Sequence, residues 1–467
     1  MQPGSSALMS ERLAEFAAGL RFEDIPVEVR ERAKYLILDA VGVALASSRR
    51  DFASVAMAAF TELDGGRYPV IGMSERLALR DAVVMNGLLI HGLDYDDTHI
   101  EGVVHITASC FPCALGVASQ VEATGAHLLQ AYVLAVEANA RLGAVAKGAF
   151  HQVGLHPTGI IAPFGCSLAA GSLYGLNHEQ FVMAQGIALS TAASSSRQFN
   201  PEGAWTKRLH PGWGAAAGIT AATLARHGFV GPRATYEGDY GLYRAHLGPS
   251  ISHCDLGLAT ANLGTVWETA NVAVKPIPAC HLVHACSDAA AIIARDHRLR
   301  ASDIATIRAL VPKEAVHVVC EPVARRRRPA TEYAAQFSIH YAVACGLLRG
   351  RFSLHELELA AFTDREALAL ADRVEYGVDT ASEYPRYFSG EVIVTTTDGR
   401  EFRHRERINR GAADRPISGA DIEAKFMDNA ALAVSSGRAA EIRDALLQVD
   451  RLESAKELAD VLAGRGV

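Results

Sequence analysis

Over most of the first 265 positions, apolar residues recur with the three-to-four-residue spacing of helices. The segment Val27–Ser47 opens after a proline and sets Ala33, Leu36, Ile37, Ala40, Val41 and Val43 on one broad face. Arg80–His91, Cys110–Glu122, Leu128–Lys147 and Pro157–Tyr174 read the same way. Several of these are apolar almost all round and rich in Gly, Ala and Ser, as expected of helices buried among other helices. The stretch from Phe229-Val-Gly-Pro-Arg233 to Gly248 reads as a surface loop. Near residue 266 the pattern changes. Ile304–Val311 and Glu391–Thr397 are β-rich, and Asp398-Gly399 before Arg400-Glu-Phe402 predicts a hairpin. Helical patterns at His284–Arg295 and Thr331–Leu348 lie between these strands, and two more begin at Ser418 and Ala439. The pattern predicts a mainly α fold with an α+β insert: a discontinuous helical domain over 1–265 and 406–467, and a smaller α+β domain over 266–405.

Composition narrows the functional classes. A chain of 467 residues is long for one core and suggests two domains. Its 49% hydrophobic and 21% charged residues are those of a globular protein. A net charge of -7 argues against a general nucleic-acid binder, although local charge still allows an anionic substrate. The long apolar run Leu129–Val145 is broken by Glu137, Asn139 and Arg141, so no membrane span is expected. The start, Met1-Gln-Pro-Gly-Ser-Ser, lacks the order of a secretory signal, and the eight scattered cysteines fit reduced thiols. These features predict a soluble, cytoplasmic protein. Cys110-Phe-Pro-Cys113 has redox spacing without a thioredoxin-like surround, and reads as buried helix cysteines. Arg325 to Arg328 reads as a solvated loop, with an anion contact by one of them left open.

Four segments carry the chemistry-bearing residues. His91-Gly-Leu-Asp-Tyr-Asp-Asp-Thr-His99, followed by His105, holds three aspartates and three histidines within fifteen residues. Its spacing matches neither a two-His zinc helix nor a calcium loop. A capped turn and an active-site wall both fit it. In Phe150-His-Gln-Val-Gly-Leu-His156-Pro-Thr-Gly159, His156 precedes a helix-starting proline, where anions are attracted or where it merely caps the helix. In Trp205-Thr-Lys207-Arg-Leu-His210-Pro-Gly212, a lysine beside a buried helix needs a partner, and a bound carboxylate would serve. An exposed loop lysine is the other reading. In Lys275-Pro-Ile-Pro-Ala-Cys280-His281-Leu-Val-His284, two histidines three apart begin a helix, suited to proton transfer or, with further ligands, to a metal.

Taken together, in this order and spacing, these segments resemble the MmgE/PrpD family. The likeness runs from Leu38–Ala46 through Leu93–His99, Trp205–Trp213 and Lys275–His284. It continues through Cys320–Pro329 to Arg415–Phe426. The resemblance implies a large helical domain with a smaller α+β lid, a homodimer, and no metal or organic cofactor. It implies a site between the domains lined by Asp94, Thr98, His105, His156, Lys207 and Lys275, with Cys280 and His281 in the last motif. Family reactions create a carbanion-like centre next to a carboxylate of a small polycarboxylic acid. They comprise dehydration of 2-methylcitrate, decarboxylation of cis-aconitate and epimerisation of iminodisuccinate. Lysines would clamp carboxylates while His105 and His156 exchange protons, with acid and base unassigned. Aligned on Lys275, Cys280 stands where the decarboxylase branch has histidine, and Cys320 lies near where that branch has a lid tyrosine. Both differences count against decarboxylation and leave dehydration and epimerisation undistinguished; dehydration is the leading expectation, epimerisation the second, decarboxylation the third. A non-catalytic small-acid binder is the reading from another class.

Overall fold

The computed structural model describes residues 7–192, 195–384 and 386–464, which form two compact units. One comprises Met1–Val274 with Ser418–Val467; the other is Lys275–Ile417. The fold is mainly helical, with a small mixed sheet in the second unit.

In the first unit, helices Val27–Ser47, Leu79–His91, Thr107–Gln120, Gly125–Val145, Pro157–Tyr174 and Thr206–Arg226 pack on one another. The Pro157–Tyr174 helix shows why such segments form. Pro157 supplies a preset φ at its first position, and Gly175 ends it in the left-handed conformation. Every residue from Pro157 to Gly171 is buried, which explains a sequence with almost no polar face. Small residues let the backbones approach. A Cβ added to Gly87 would lie 2.5 Å from Gly212 Cα, and one added to Gly212 would lie 2.3 Å from the Val84 carbonyl oxygen. This crossing sits one turn before His91 and one turn after Arg208, so it brings the C-terminus of Leu79–His91 to the N-terminus of Thr206–Arg226. Gly212→Ala is expected to destabilise the protein by roughly 1–3 kcal/mol, because rigid backbone must move. A melting temperature equal to wild type would show that the crossing relaxes freely.

After the second unit the chain returns as Gly419–Ala430, which packs on Val27–Ser47. Lys425 on this helix is buried against Asp39, 2.6 Å away, and donates to the Tyr95 carbonyl at 2.9 Å. Its ammonium also lies 3.6 Å above the Tyr95 ring.

In the second unit, helices His281–His297 and Ile339–Arg349 pack together, the former also on the sheet. The strand order is Val374–Val378, Ile304–Val311, Gly390–Thr396, Glu401–Glu406, with the first pair parallel and the others antiparallel. Val392, Val394 and Thr396 alternate inward along their strand, which fixes register. Gly399, at φ +85°, closes the expected hairpin.

Some expectations change. The stretch ending at Gly248 contains a helix, Leu242–Leu247, and buries Tyr236, Leu242 and Tyr243; glycines around it mask the apolar anchors. The helix expected over Thr331–Leu348 is two, Glu332–Gln336 and Ile339–Arg349, because Ser338 caps the second through the Tyr341 N–H. The arginine run is solvated only in part: Arg325 and Arg328 are exposed, while Arg326 and Arg327 are half-buried. Val323–Arg327 is helical; Arg326 donates to the Val318 carbonyl and Arg327 to the Val374 carbonyl. Cys110 and Cys113 are buried helix thiols, as expected.

Candidate active site

Asp94 begins the site. It follows the Leu79–His91 helix and holds φ at +50°, a left-handed conformation that aspartate tolerates better than most residues. That turn lets the three aspartates of the segment take three separate tasks. Asp94 Oδ1 accepts from Lys207 Nζ at 2.7 Å and lies 3.8 Å from His105 Nε2. Asp96 Oδ2 lies 2.8 Å from His91 Nδ1 and 3.3 Å from His105 Nδ1. Asp97 caps the Thr107–Gln120 helix: Oδ1 accepts the Thr107 N–H at 3.1 Å and Oδ2 its hydroxyl. The capped-turn reading thus holds for Asp97, while the other two face side chains. Lys207, only 8% exposed, takes Asp94 of this same chain as the partner its burial demands.

Its neighbour Arg208 donates to the Gly92 carbonyl at 2.6 Å and lies over the Phe52 ring, tying the two helix ends together. Thr98 Oγ1 is 3.5 Å from His105 Nδ1, and the His105 N–H donates to Thr158 Oγ1 at 3.1 Å. Thr158 opens the helix whose N-cap residue is His156, and His156 makes no side-chain cap there. Instead its Nδ1 lies 3.0 Å from His210 Nδ1. The His105 and His156 rings are 6.1 Å apart, with His91 4.4 Å from the first and 5.7 Å from the second.

The first unit therefore brings together Asp94, Thr98, His105, His156 and Lys207. It adds His91, Asp96 and His210, which lie in the segments that the sequence reading picked out but were given no role there. His99 stands aside as a structural histidine between Glu268 and the Gly102 N–H. Lys275, Cys280 and His281 belong to the other unit. Lys275 is 2% exposed, and the half-buried Cys280 is the N-cap residue of His281–His297, its N–H donating to the Gln336 carbonyl. The His281 ring packs on His284 and Phe388 at 4.7 and 5.7 Å. Cys320 is buried, and burial above all pushes its thiol up to about 12.

Burial governs the site's protonation. It holds His156 well below its ordinary range, helped by the Lys207 charge, and lowers His91 against the pull of Asp96. His210 falls to about 4 for the same first reason. Burial opposes charge on Asp96, but His91 and His105 outweigh it and hold the carboxyl well below normal. Asp97 rises to about 7 through burial, against the Thr107 hydrogen bonds. Among the described residues, two groups are close enough to hold a cation: His91, His105 and His156, or Asp94, Asp96 and His105. In the second group the Lys207 ammonium already occupies Asp94, and the His91 and His105 rings already face Asp96.

These shifts set a pH dependence of stability. His210, His340 (about 4) and His151 (about 3) bind fewer protons folded than unfolded, and so does His156. Their contribution is complete above 6.5 and is lost as pH falls toward 4. Asp97, Asp39 and Asp288 act oppositely, since burial raises their folded values above 3.8. Each fully shifted group changes stability by about 1.4 kcal/mol per pH unit, so the histidines prevail by number. The melting temperature is expected to fall steadily from pH 6.5 to 4.5; a flat profile would contradict neutral buried imidazoles.

The MmgE/PrpD N-terminal domain matches residues 11–253, and the MmgE/PrpD C-terminal domain matches residues 277–451. The chain is 26% identical to the cis-aconitate decarboxylase-like protein oryM of Aspergillus oryzae, over 98% of this chain and 97% of that one. It is likewise 26% identical to cis-aconitate decarboxylase of Homo sapiens, over 98% and 95%. The Aspergillus terreus cis-aconitate decarboxylase is also 26% identical, over 97% and 96%. Among the described residues, no helix is long and apolar enough to cross a membrane.

Proposed function

From the premise that the chain belongs to the MmgE/PrpD family, we propose that it is a cofactor-independent lyase of a small di- or tricarboxylate, dehydrating it in the manner of 2-methylcitrate. The observation that carries this reading is a pair of imidazoles, His105 and His156, beside the buried Lys207–Asp94 pair. One imidazole takes the proton from the carbon next to a carboxylate. The electron pair passes into that carboxylate, where the Lys207 ammonium offsets the growing charge. The C–O bond at the neighbouring carbon then breaks, and the second imidazole delivers the proton that lets hydroxide leave as water. Lys275, Cys280 and His281 enter as substrate-binding residues through the family motif alone, and a cytoplasmic homodimer is part of the same proposal.

Decarboxylation is the second reading, favoured by relatives named for that activity along nearly their whole length. Against it stand Cys280, where the resemblance implies a histidine in the decarboxylase branch, and Cys320, whose thiol at about 12 is a poor proton donor near neutrality. Epimerisation needs the same two proton carriers on opposite faces of the substrate. Incubation with a panel of polycarboxylates in D₂O, with and without EDTA, separates these by NMR. Deuterium incorporation with water loss in both arms is expected. Inversion without loss establishes an epimerase, and carbon dioxide release a decarboxylase. Dependence on the metal, or no exchange with any member of the panel, overturns the reading.

A further inference from the structure

Asp96 is fully buried, and its Oδ2 faces two imidazoles at once, His91 Nδ1 at 2.8 Å and His105 Nδ1 at 3.3 Å. Among the described residues, its other oxygen has no hydrogen-bond partner. Among the described residues, no lysine, arginine or backbone N–H reaches Asp96 in the way that Lys207 reaches Asp94 or the Thr107 amide reaches Asp97. A buried carboxylate without donors is costly, so the two rings must supply them. Both Nδ1 atoms therefore carry hydrogen. For His105 the competing acceptor, Thr98 Oγ1, is neutral and farther away at 3.5 Å.

We propose that Asp96 is a positioning residue that fixes His105 in the Nδ1–H tautomer, making its Nε2 the base of the reaction and leaving His156 as the acid. The inference rests on the reading of a proton-transferring lyase and assigns direction within it. With Nδ1–H given to Asp96, the unprotonated Nε2 lies on the side of Asp94 and Lys207, 3.8 Å from Asp94 Oδ1. When Nε2 takes the substrate proton, the ring becomes an imidazolium whose Nδ1–H already points at a carboxylate, so the charge forms beside its counter-ion. Among the described residues, the charges that act most on His156 include no carboxylate. Its neighbours are Lys207, His91, His210 and His105, all of which oppose a positive charge on its ring. A neutral imidazole that gives up its N–H to a leaving hydroxide suits that setting, and the proton held by the His105 imidazolium then passes by way of solvent to His156, so that both rings return to their starting states. His91 serves as the second donor to Asp96. Its ring is wholly buried, edge-on to His105, and holds the shared oxygen in place. Held well below its ordinary range, the Asp96 carboxyl remains ionised throughout.

The test has two independent arms. Selective ¹⁵N-histidine labelling reports tautomers directly in the unaltered protein, with His105→Gln used to assign the signal. The expected result is Nδ1–H for His105, moving toward Nε2–H in Asp96→Asn. In kinetics, Asp96→Asn is expected to lower kcat by 10²-fold or more with KM within a few-fold of wild type, a split that general loosening of the fold would not give. An Nε2–H tautomer in the unaltered protein overturns the proposal even if the variant fails to fold, and so does wild-type kcat in Asp96→Asn. Because the NMR arm needs no substrate, a correct tautomer with no turnover of any polycarboxylate would sink the lyase reading and leave the pairing intact.

Discussion

Lys207→Met is expected to lower turnover about 10²–10³-fold, the usual cost of losing one preorganised charge at a reacting centre. The same change strands Asp94 in a buried site, and breaking a buried ion pair from one side costs about 3–5 kcal/mol. Stability and activity should therefore fall together, which on its own would not separate a catalytic lysine from a structural one. The pair Lys207→Met with Asp94→Asn separates them. Removing both charges relieves the desolvation penalty, so most of the lost melting temperature should return. Activity should not return, because the ammonium that meets the developing carboxylate charge is still missing. Thermal melts and steady-state kinetics on the two variants check this. Recovery of turnover alongside stability would assign Lys207 to the scaffold and leave the imidazoles as the site's whole chemistry.

The sequence made the fold class readable because its strongest local signals agree with the packing. Val27–Ser47, Pro157–Tyr174 and Ile304–Val311 have the bounds that periodicity and end signals predict. Proline and glycine frame the second of these, and alternation with β-branched residues defines the third. The stretch from Phe229 to Gly248 misled because glycines outweigh a few deeply buried anchors such as Tyr243. Motif spacing pointed to Asp94, Thr98, His105, His156 and Lys207, and the first unit gathers these side chains. It could not point to His91 and Asp96 as a pair. His91 ends an otherwise apolar helix, and Asp96 lies past a left-handed turn, so their contact depends on a backbone reversal that composition does not encode. His210 was passed over for a similar reason. Its partner His156 is 54 residues away and meets it only because the helix that follows His156 packs on the helix that contains His210.

Lys425→Met is expected to be the most damaging single change away from the chemistry. One ammonium pairs with Asp39, donates to the Tyr95 carbonyl and covers the Tyr95 ring, so three contacts vanish together. Tyr95 lies between Asp94 and Asp96, and its carbonyl is fixed from behind by a helix from the C-terminal return of the chain. Loss of the buried pair sets a scale of about 3–5 kcal/mol. Burial already raises the Asp39 carboxyl despite the lysine, so without the lysine it can take a proton instead of remaining a lone charge. The penalty should therefore shrink as pH is lowered, in contrast to the wild-type protein, whose histidines make it less stable in acid. Adding Asp39→Asn should remove this pH dependence and restore part of the stability, since a neutral amide needs no counter-ion. Turnover should remain depressed in both variants, because the Tyr95 carbonyl is still unanchored and the carboxylates on either side of it lose their fixed aim. Chemical denaturation at several pH values, paired with kinetics, reads all three effects. A Lys425→Met protein with wild-type kcat would show that the Asp94–Asp96 turn holds its geometry through Lys207 and the two imidazoles alone.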